Sequence, residues 1–319
     1  MRETMKRKTN QGITFKEAYE AFIRVRRNMK VSEETLRFYE DNYKNFTTFF
    51  DEDKKCADIT EDTIQRYIEH LRDRNSNLKD ISINTYLRAI RTVLRYCMER
   101  KYMEDFKIKL LKVEEEIKEV YEEDELARLL KKPDLKKCNF AELRNWAMTN
   151  YMLATGNRVK TITGIKIKDL DFENHVVYLR ELKNKRPYLM PLSLALEKIL
   201  IEYLDYKTNN KPEDYLFPST NGSKLTKDGF KTAIQRYNHK RGVLKTSSHL
   251  YRHLFSKTYL SNGGDISRLQ GLLGHSTPVM SLKYAKMYGD DLKAHFNERN
   301  PLDIYMKNKV FNKEKINRK

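Results

Sequence analysis

The sequence contains little cysteine and no long apolar run. Its three cysteines, Cys56, Cys97 and Cys138, are odd in number, far apart and without a CxxC pair, so neither a disulfide framework nor a zinc site is expected. This usage is typical of a reducing cytosol, and we expect a cytoplasmic protein. No stretch approaches about 18 apolar residues, and no apolar segment follows the N-terminal MRETMKRKTN, so the sequence predicts neither a membrane span nor a signal peptide.

The charge is strongly unbalanced toward the basic side. The chain has 319 residues, with 63 Lys and Arg against 45 Asp and Glu, which gives a formal net charge of +18. Such a surface attracts a polyanion, and DNA or RNA is the first candidate partner. A lysine-rich composition inherited from a biased genome is the alternative explanation. The length favours two domains over one.

The first hundred residues have the pattern of a helical bundle. Thr14 and Glu17 make a capping-box signature before a helix predicted over 15–27. Ser32 and Thr60 are candidate N-caps of a second and a third helix. A fourth helix is predicted over 81–100, and no convincing strand precedes it.

Three arginines of the fourth helix, Arg88, Arg91 and Arg95, recur at intervals of three and four residues. This spacing places them on one side of the helix, beside its apolar stripe. A cationic face of this kind suits the DNA groove or backbone. An ordinary solvated helix face remains the alternative.

The predicted boundaries follow from changes in composition. The charged, weakly patterned stretch after the fourth helix reads as a linker, and a new helix begins with YEEDELARLL. We therefore expect the following organisation: a basic tail over 1–12, a helical DNA-binding domain over 13–103, a linker over 104–118, a second domain over 119–300, and a basic C-terminal tail over 301–319.

The second domain is predicted to mix helices with a short sheet. A helix over 141–154 ends at Thr155-Gly156, and Arg158 follows at the start of another short helix. HVVYLRE and YLMPL have the pattern of a hairpin whose basic tip carries Lys183. Further helices are predicted over 193–206 and 226–241, and one more begins at Ser247 or Ser248.

Four residues near the C-terminus supply groups that can act on a phosphodiester: His249, Arg252, His275 and Tyr284. Arginine offers a planar fork of donors to phosphate oxygens, histidine holds or passes a proton near neutral pH, and tyrosine can form a phosphoester. Each residue alone has an ordinary structural explanation. Their order and spacing, after the TGNR that carries Arg158, favour a catalytic set.

The order of TGNR, the hairpin lysine, HLYR, LLGH and a C-terminal tyrosine resembles that of the tyrosine recombinases of the phage integrase family, in a two-domain, Xer- or Cre-like architecture. The resemblance covers nearly the whole chain. It implies a mainly α fold with a small β-sheet, in which an N-terminal helical core-binding domain precedes an α+β catalytic domain of the DNA breaking-rejoining type.

The resemblance also implies roles for the residues. Arg158 and Arg252 clamp the scissile phosphate, Tyr284 attacks phosphorus to give a 3′-phosphotyrosyl bond, and Lys183 donates a proton to the leaving 5′ oxygen. His249 accepts the tyrosine proton or supports its transfer, and His275 donates a hydrogen bond to the phosphate. Lys185 and Arg186 are neighbouring alternatives to Lys183. No metal, ATP or other cofactor is expected, because the arginines supply the positive charge.

One position departs from the family pattern. The place three residues after Arg158, usually acidic in this family, holds Thr161. A hydroxyl brings hydrogen bonding but no charge to a supporting position. We expect an active enzyme with altered support, and a weakened or accessory DNA-binding protein is the alternative.

The implied partners are double-stranded DNA with inverted-repeat core sites and three further copies of the chain, which together form a homotetramer on two duplexes that recombines them through a Holliday junction. Apolar residues after Tyr284 would dock on a neighbouring protomer, or on their own domain. DNA-bending or directionality proteins would assist at the nucleoid of a bacterium or of a phage-infected cell. A type IB topoisomerase-like or telomere-resolving enzyme uses similar residues and is the main rival.

Overall fold

In the computed structural model, residues 12–113, 120–180, 188–207 and 210–274 are described. The chain divides into two compact units, Met1–Glu116 and Ile117–Lys319. Within the described ranges, no helix is both long and apolar enough to cross a membrane.

The first unit is built from four helices whose starts follow the predicted caps. They are α1 (Phe15–Asn28), α2 (Glu33–Thr47), α3 (Glu61–Arg74) and α4 (Asp80–Glu99). The Thr14 hydroxyl accepts the Glu17 N–H while the Glu17 carboxylate accepts the Thr14 N–H, which is the predicted capping box. The Ser32 hydroxyl accepts the Thr35 N–H at the start of α2, and the Thr60 hydroxyl accepts the Thr63 N–H at the start of α3. The predicted helical bundle is confirmed.

Large apolar side chains fill the centre of this bundle. Phe46 of α2 makes edge-to-face contacts with Phe15 and with Tyr67, and all three rings are fully buried. After α4 the Leu111 backbone exchanges two hydrogen bonds with the Asn84 side chain, at 2.8 and 3.0 Å. The described start of the stretch assigned to the linker thus packs along α4.

The second unit surrounds one buried helix. Its elements are α5 (Glu123–Leu130), α6 (Phe140–Thr155), α7 (Val159–Ile162), β1 (Leu170–Asp171), β2 (Val176–Leu179), β3 (Tyr188–Pro191), α8 (Leu194–Tyr206), α9 (Lys227–Lys240), α10 (Ser248–Ser261) and α11 (Ile266–Leu273). The apolar side chains of α6 are buried on almost every side, and the helix packs against α5, α8, α9 and α10. Four helices of the second unit are therefore positioned against α6.

The sheet has one strand more than the predicted hairpin. β2 and β3 pair antiparallel, with Val177 opposite Met190, and the two-residue β1 pairs antiparallel with β2. A strand of two residues is too short to show the alternation of apolar and polar residues that predicts a strand. It forms because β2 is available to pair with it. The mainly α fold with a small sheet is confirmed.

Candidate active site

The turn after α6 is shaped by a glycine that no other residue replaces easily. Gly156 has φ +61°, and a Cβ at this position would lie 2.8 Å from Phe255 Cδ1 and 3.0 Å from Leu273 Cδ2. The glycine therefore meets two demands, a left-handed backbone and a close approach to neighbouring side chains. The chain reverses here and presents Arg158, which caps the start of α7 and has an exposed side chain.

Arg252 is held deep in the unit, in contrast to Arg158. It lies on α10 and is only 5% exposed. Its two terminal nitrogens diverge, one donating to the Gly156 carbonyl oxygen at 2.7 Å and the other to the Leu273 carbonyl oxygen at 2.8 Å. The planar fork of the guanidinium makes both bonds possible without strain. Arg252 thus joins the end of α6 to the end of α11.

The two arginines meet at one oxygen atom. Arg158 Nη1 lies 3.3 Å from the same Leu273 carbonyl oxygen and 3.4 Å from that of Gly274. Residues from TGNR, from HLYR and from the segment just before His275 are therefore brought together, although 94 positions separate the two arginines. The two guanidinium groups therefore lie close together, each donating to the Leu273 carbonyl oxygen.

Sequence reasoning missed a tyrosine at this site. The Tyr188 hydroxyl, at the start of β3, lies 2.9 Å from Asn157 Oδ1 and 3.2 Å from the Leu272 carbonyl oxygen. Burial raises the pKa of Tyr188 to about 12, although the positive charges of Arg252 and Arg158 act to lower it. A tyrosine at a strand start reads as a packing residue, and the only available signal was its place directly after the basic hairpin tip.

Of the four remaining predicted catalytic residues, one lies within the described residues and three lie outside them. His249 is the second residue of α10, exposed, with its backbone N–H donating to the Ser247 hydroxyl at 3.3 Å. It lies three residues before Arg252 on the same helix, as predicted. Lys183, His275 and Tyr284 lie outside the described residues.

Thr161 lies on α7 beside an ion pair that was not predicted. The side chains of Thr161, Asp169 and Arg180 line one small cavity. Asp169 is 4% exposed and accepts a 2.9 Å bond from Arg180 Nε, while its other oxygen accepts the Lys166 N–H. A buried carboxylate therefore stands near the position where the family pattern usually has one.

The arginine face predicted on α4 is present in the first unit. Arg88 and Arg95 are exposed and Arg91 is half-buried. Burial lowers the pKa of Arg91, and the positive charges of Arg95 and Arg88 lower it further. In the part of the chain that the structure describes, no group of three or more His, Cys, Asp or Glu side chains could hold a metal ion.

Comparison with known proteins identifies the family. Residues 119–289 match the model of the phage integrase family, and residues 14–114 match that of the phage integrase SAM-like domain. Tyrosine recombinase XerD of Staphylococcus haemolyticus is 28% identical over 302 residues, which cover 90% of this chain and 99% of the relative. XerD of Oceanobacillus iheyensis is 27% identical over 293 residues, or 88% and 96% of the two chains.

Solved structures show the same fold at lower identity. The Tn1549 transposon integrase, in complex with circular intermediate DNA, has a TM-score of 0.68 at 21% identity over 85% of this chain and 95% of that one. A lambda integrase dimer bound to a COC′ core site has a TM-score of 0.68 at 16% identity over 88% and 80%. Since the first family model alone spans more than half of the sequence, the chain belongs to the phage integrase family and is a tyrosine site-specific recombinase.

Proposed function

We propose that this recombinase binds double-stranded DNA at inverted-repeat core sites and cuts and rejoins it through a 3′-phosphotyrosyl intermediate. The observation that carries the proposal is the meeting of Arg158 and Arg252 at the Leu273 carbonyl oxygen. Two guanidinium groups that already share one oxygen acceptor are placed to share the oxygens of one phosphate. Preorganised donors of this kind stabilise the charge that develops in phosphoryl transfer.

The proposed reaction conserves the phosphodiester energy. The Tyr284 oxygen attacks phosphorus and passes its proton to His249, while the bond from phosphorus to the 5′ oxygen breaks and Lys183 protonates that oxygen. His275 donates a hydrogen bond to the phosphate. Attack of a 5′-hydroxyl from the other duplex then releases Tyr284 and joins the new partners, while the hydroxyl returns a proton to Lys183 and His249 returns one to the tyrosine oxygen. No ATP is consumed, and the arginines supply the positive charge that a metal ion would otherwise provide.

DNA binding involves both units in this proposal. Arg88, Arg91 and Arg95 contact the backbone or a groove from the first unit, and the charge of +18 draws the duplex in. Four protomers hold two duplexes and exchange one pair of strands at a time through a Holliday junction. The DNA complexes among the solved relatives support the choice of partner. The bacterial relatives support action in the cytoplasm, with accessory DNA-bending proteins where the site requires them.

The test is covalent trapping on a nicked duplex whose cleaved end diffuses away. The wild-type protein should give a protein–DNA adduct in the presence of EDTA, and Tyr284→Phe should give none. Tyr178→Phe is the matched control, because Tyr178 is 39% exposed and its hydroxyl donates to Asp171 at 3.4 Å. An adduct from Tyr284→Phe would mean that another residue is the nucleophile.

A second assay separates recombination from relaxation. A substrate with two core sites should yield exchanged products, and mixing two plasmids with one site each should yield a joined circle. Relaxation of supercoils without exchanged products would instead favour a topoisomerase-like activity.

A further inference from the structure

The Tyr188 hydroxyl touches the two chain segments that place the arginines. Asn157, which accepts at 2.9 Å, is the residue before Arg158, and Leu272, whose carbonyl oxygen lies at 3.2 Å, is the residue before Leu273. Leu273 in turn supplies the oxygen to which both guanidinium groups donate. The Tyr188 hydroxyl is therefore bonded to the residue before Arg158 and to the residue before Leu273, whereas Arg158 and Leu273 themselves make the arginine contact.

Asn157 is itself fixed from the opposite side. It is 6% exposed, and its amide nitrogen donates to the hydroxyl of the fully buried Tyr151 at 3.2 Å. Its backbone N–H donates to the Thr155 hydroxyl, at 3.3 Å. The chain of bonds thus runs from the interior of α6 through Asn157 to Tyr188 and ends on α11, and each member limits the movement of the next.

The Tyr188 ring also lies beside the end of α11. A Cβ built on Gly274, which has φ +58°, would lie 3.5 Å from Tyr188 Cε1, which is van der Waals contact distance for a side chain at this position. Gly274 ends α11 in the left-handed conformation and directly precedes His275. The ring therefore lies next to the last described residue of the chain.

We propose that Tyr188 is a positioning residue that fixes the Arg158 turn against the end of α11 and thereby sets the separation of the two arginines. The inference rests on the proposed function and deepens it, because it assigns to Tyr188 a part in aligning the phosphate clamp. Tyr188 is not the nucleophile: its hydroxyl is engaged by two acceptors, and it stays protonated at neutral pH. Its removal displaces the guanidinium groups and leaves the attacking group intact.

The test begins with Tyr188→Phe, which removes one oxygen and keeps the ring beside Gly274. Single-turnover cleavage of the trapping duplex should slow by about 10-fold to 100-fold, because a small misplacement of a catalytic group has an effect of this size. Tyr203→Phe is the control for simple loss of a buried hydroxyl bond, since Tyr203 is fully buried and donates to the Leu216 carbonyl oxygen at 2.9 Å. It should lower the melting temperature and leave the cleavage rate unchanged.

A double-mutant cycle with Arg158→Lys identifies the route by which Tyr188 acts. If Tyr188 acts by positioning Arg158, adding Tyr188→Phe to Arg158→Lys should slow cleavage little further. We expect a change within about 2-fold, which is the usual error of such comparisons. An undiminished, multiplicative loss in the double variant would overturn the inference. So would a Tyr188→Phe protein that cleaves as fast as the wild type.

Two modified duplexes provide an independent readout on the same variants. A methylphosphonate at the scissile position carries no charge, so its cleavage depends less on the arginines. The loss of cleavage rate caused by Tyr188→Phe should therefore be smaller on this substrate. A 5′-bridging sulfur leaves without a proton donor, and the defect should persist on that substrate. Rescue by the sulfur substrate alone would place Tyr188 on the leaving-group side and overturn the inference. Failure of the wild-type protein to form any adduct would instead count against the proposed function itself.

Discussion

The two units of the chain bury different kinds of groups. Twelve of the fifteen buried polar or charged residues in the described ranges belong to the second unit, whereas the interior of the first is dominated by aromatic and aliphatic side chains. Apolar burial stabilises a fold without specifying fine geometry, while a buried polar group is costly unless its hydrogen bonds are made. The first unit is therefore held together mainly by apolar packing, while the second also fixes polar groups through buried hydrogen bonds.

Replacement of Arg252 tests this contrast with the largest expected effect. Arg252→Lys keeps the charge but loses the fork that reaches the Gly156 and Leu273 carbonyl oxygens, and single-turnover cleavage should fall by about 100-fold to 1000-fold. Arg144→Lys is the matched control, because Arg144 is 4% exposed and also donates to a backbone carbonyl, that of Pro218. It should reduce stability and spare the rate. Equal losses of rate in both variants would break the distinction between structural and catalytic burial.

Replacement of Gly156 tests how much the close packing at the end of α6 contributes to the stability of the second unit. Gly156→Ala should lower the free energy of unfolding by about 2–4 kcal/mol, the sum of left-handed strain and overpacking against Phe255 and Leu273. Gly222→Ala shares the positive φ, at +85°, but a Cβ there meets no atom within 4 Å, so it isolates the strain alone, about 1 kcal/mol. Urea unfolding of both variants measures the difference. Equal destabilisation would show that the packing around Gly156 relaxes freely.

The surface of the first unit is tested by salt dependence. Arg91→Gln should weaken DNA binding and reduce the slope of log K against log salt by about 1, the effect of one lost phosphate contact. Arg66→Gln is the control, because Arg66 is paired with Asp62 at 3.0 Å on α3. Its slope should match that of the wild type. An unchanged slope for Arg91→Gln would remove α4 from the DNA interface.

The smallest expected effect concerns the pH dependence of the second unit. The hydrogen bond from Lys240, together with the charge of Arg241, holds the pKa of Glu142 below its ordinary value. Since the folded pKa is depressed, this stabilisation is present above the ordinary pKa of about 4.5 and is lost as the pH falls through the folded value. Glu142→Gln should therefore be less stable at pH 7 by about 0.5–1.5 kcal/mol and converge with the wild type in acid. A constant difference from pH 7 to pH 3 would contradict this linkage.

Local signals in the sequence were sufficient for most of the helices, although α11 was not predicted. The Thr14 and Glu17 capping box, the Ser32 and Thr60 caps and the glycine that ends α6 are interactions within a few residues, so the pattern states them directly. The position of Arg158 just after the Gly156 turn was predictable for the same reason. Element boundaries agreed with the structure to within one or two residues at each of these places.

Interactions between distant segments were not predictable in this way. Three examples are the pairing of β1 with β2, the packing of Leu111 against Asn84 and the bonds of Tyr188. No local sequence pattern around either residue of such a pair indicates the other. The burial of Arg252 was also hidden, because an arginine on a predicted helix reads as a surface residue until its carbonyl partners are known. Lys183, His275 and Tyr284 stay predictions, as do the roles assigned to all the site residues.

The glycine-ended helices α6 and α11 have an electrostatic consequence for Arg252. Both deliver the negative end of a helix dipole to the same guanidinium, through the carbonyl oxygens of Gly156 and Leu273. Partial charges of this kind lower the cost of desolvating the cation. The ends of two helices thus help to hold the Arg252 guanidinium beneath the surface of the second unit.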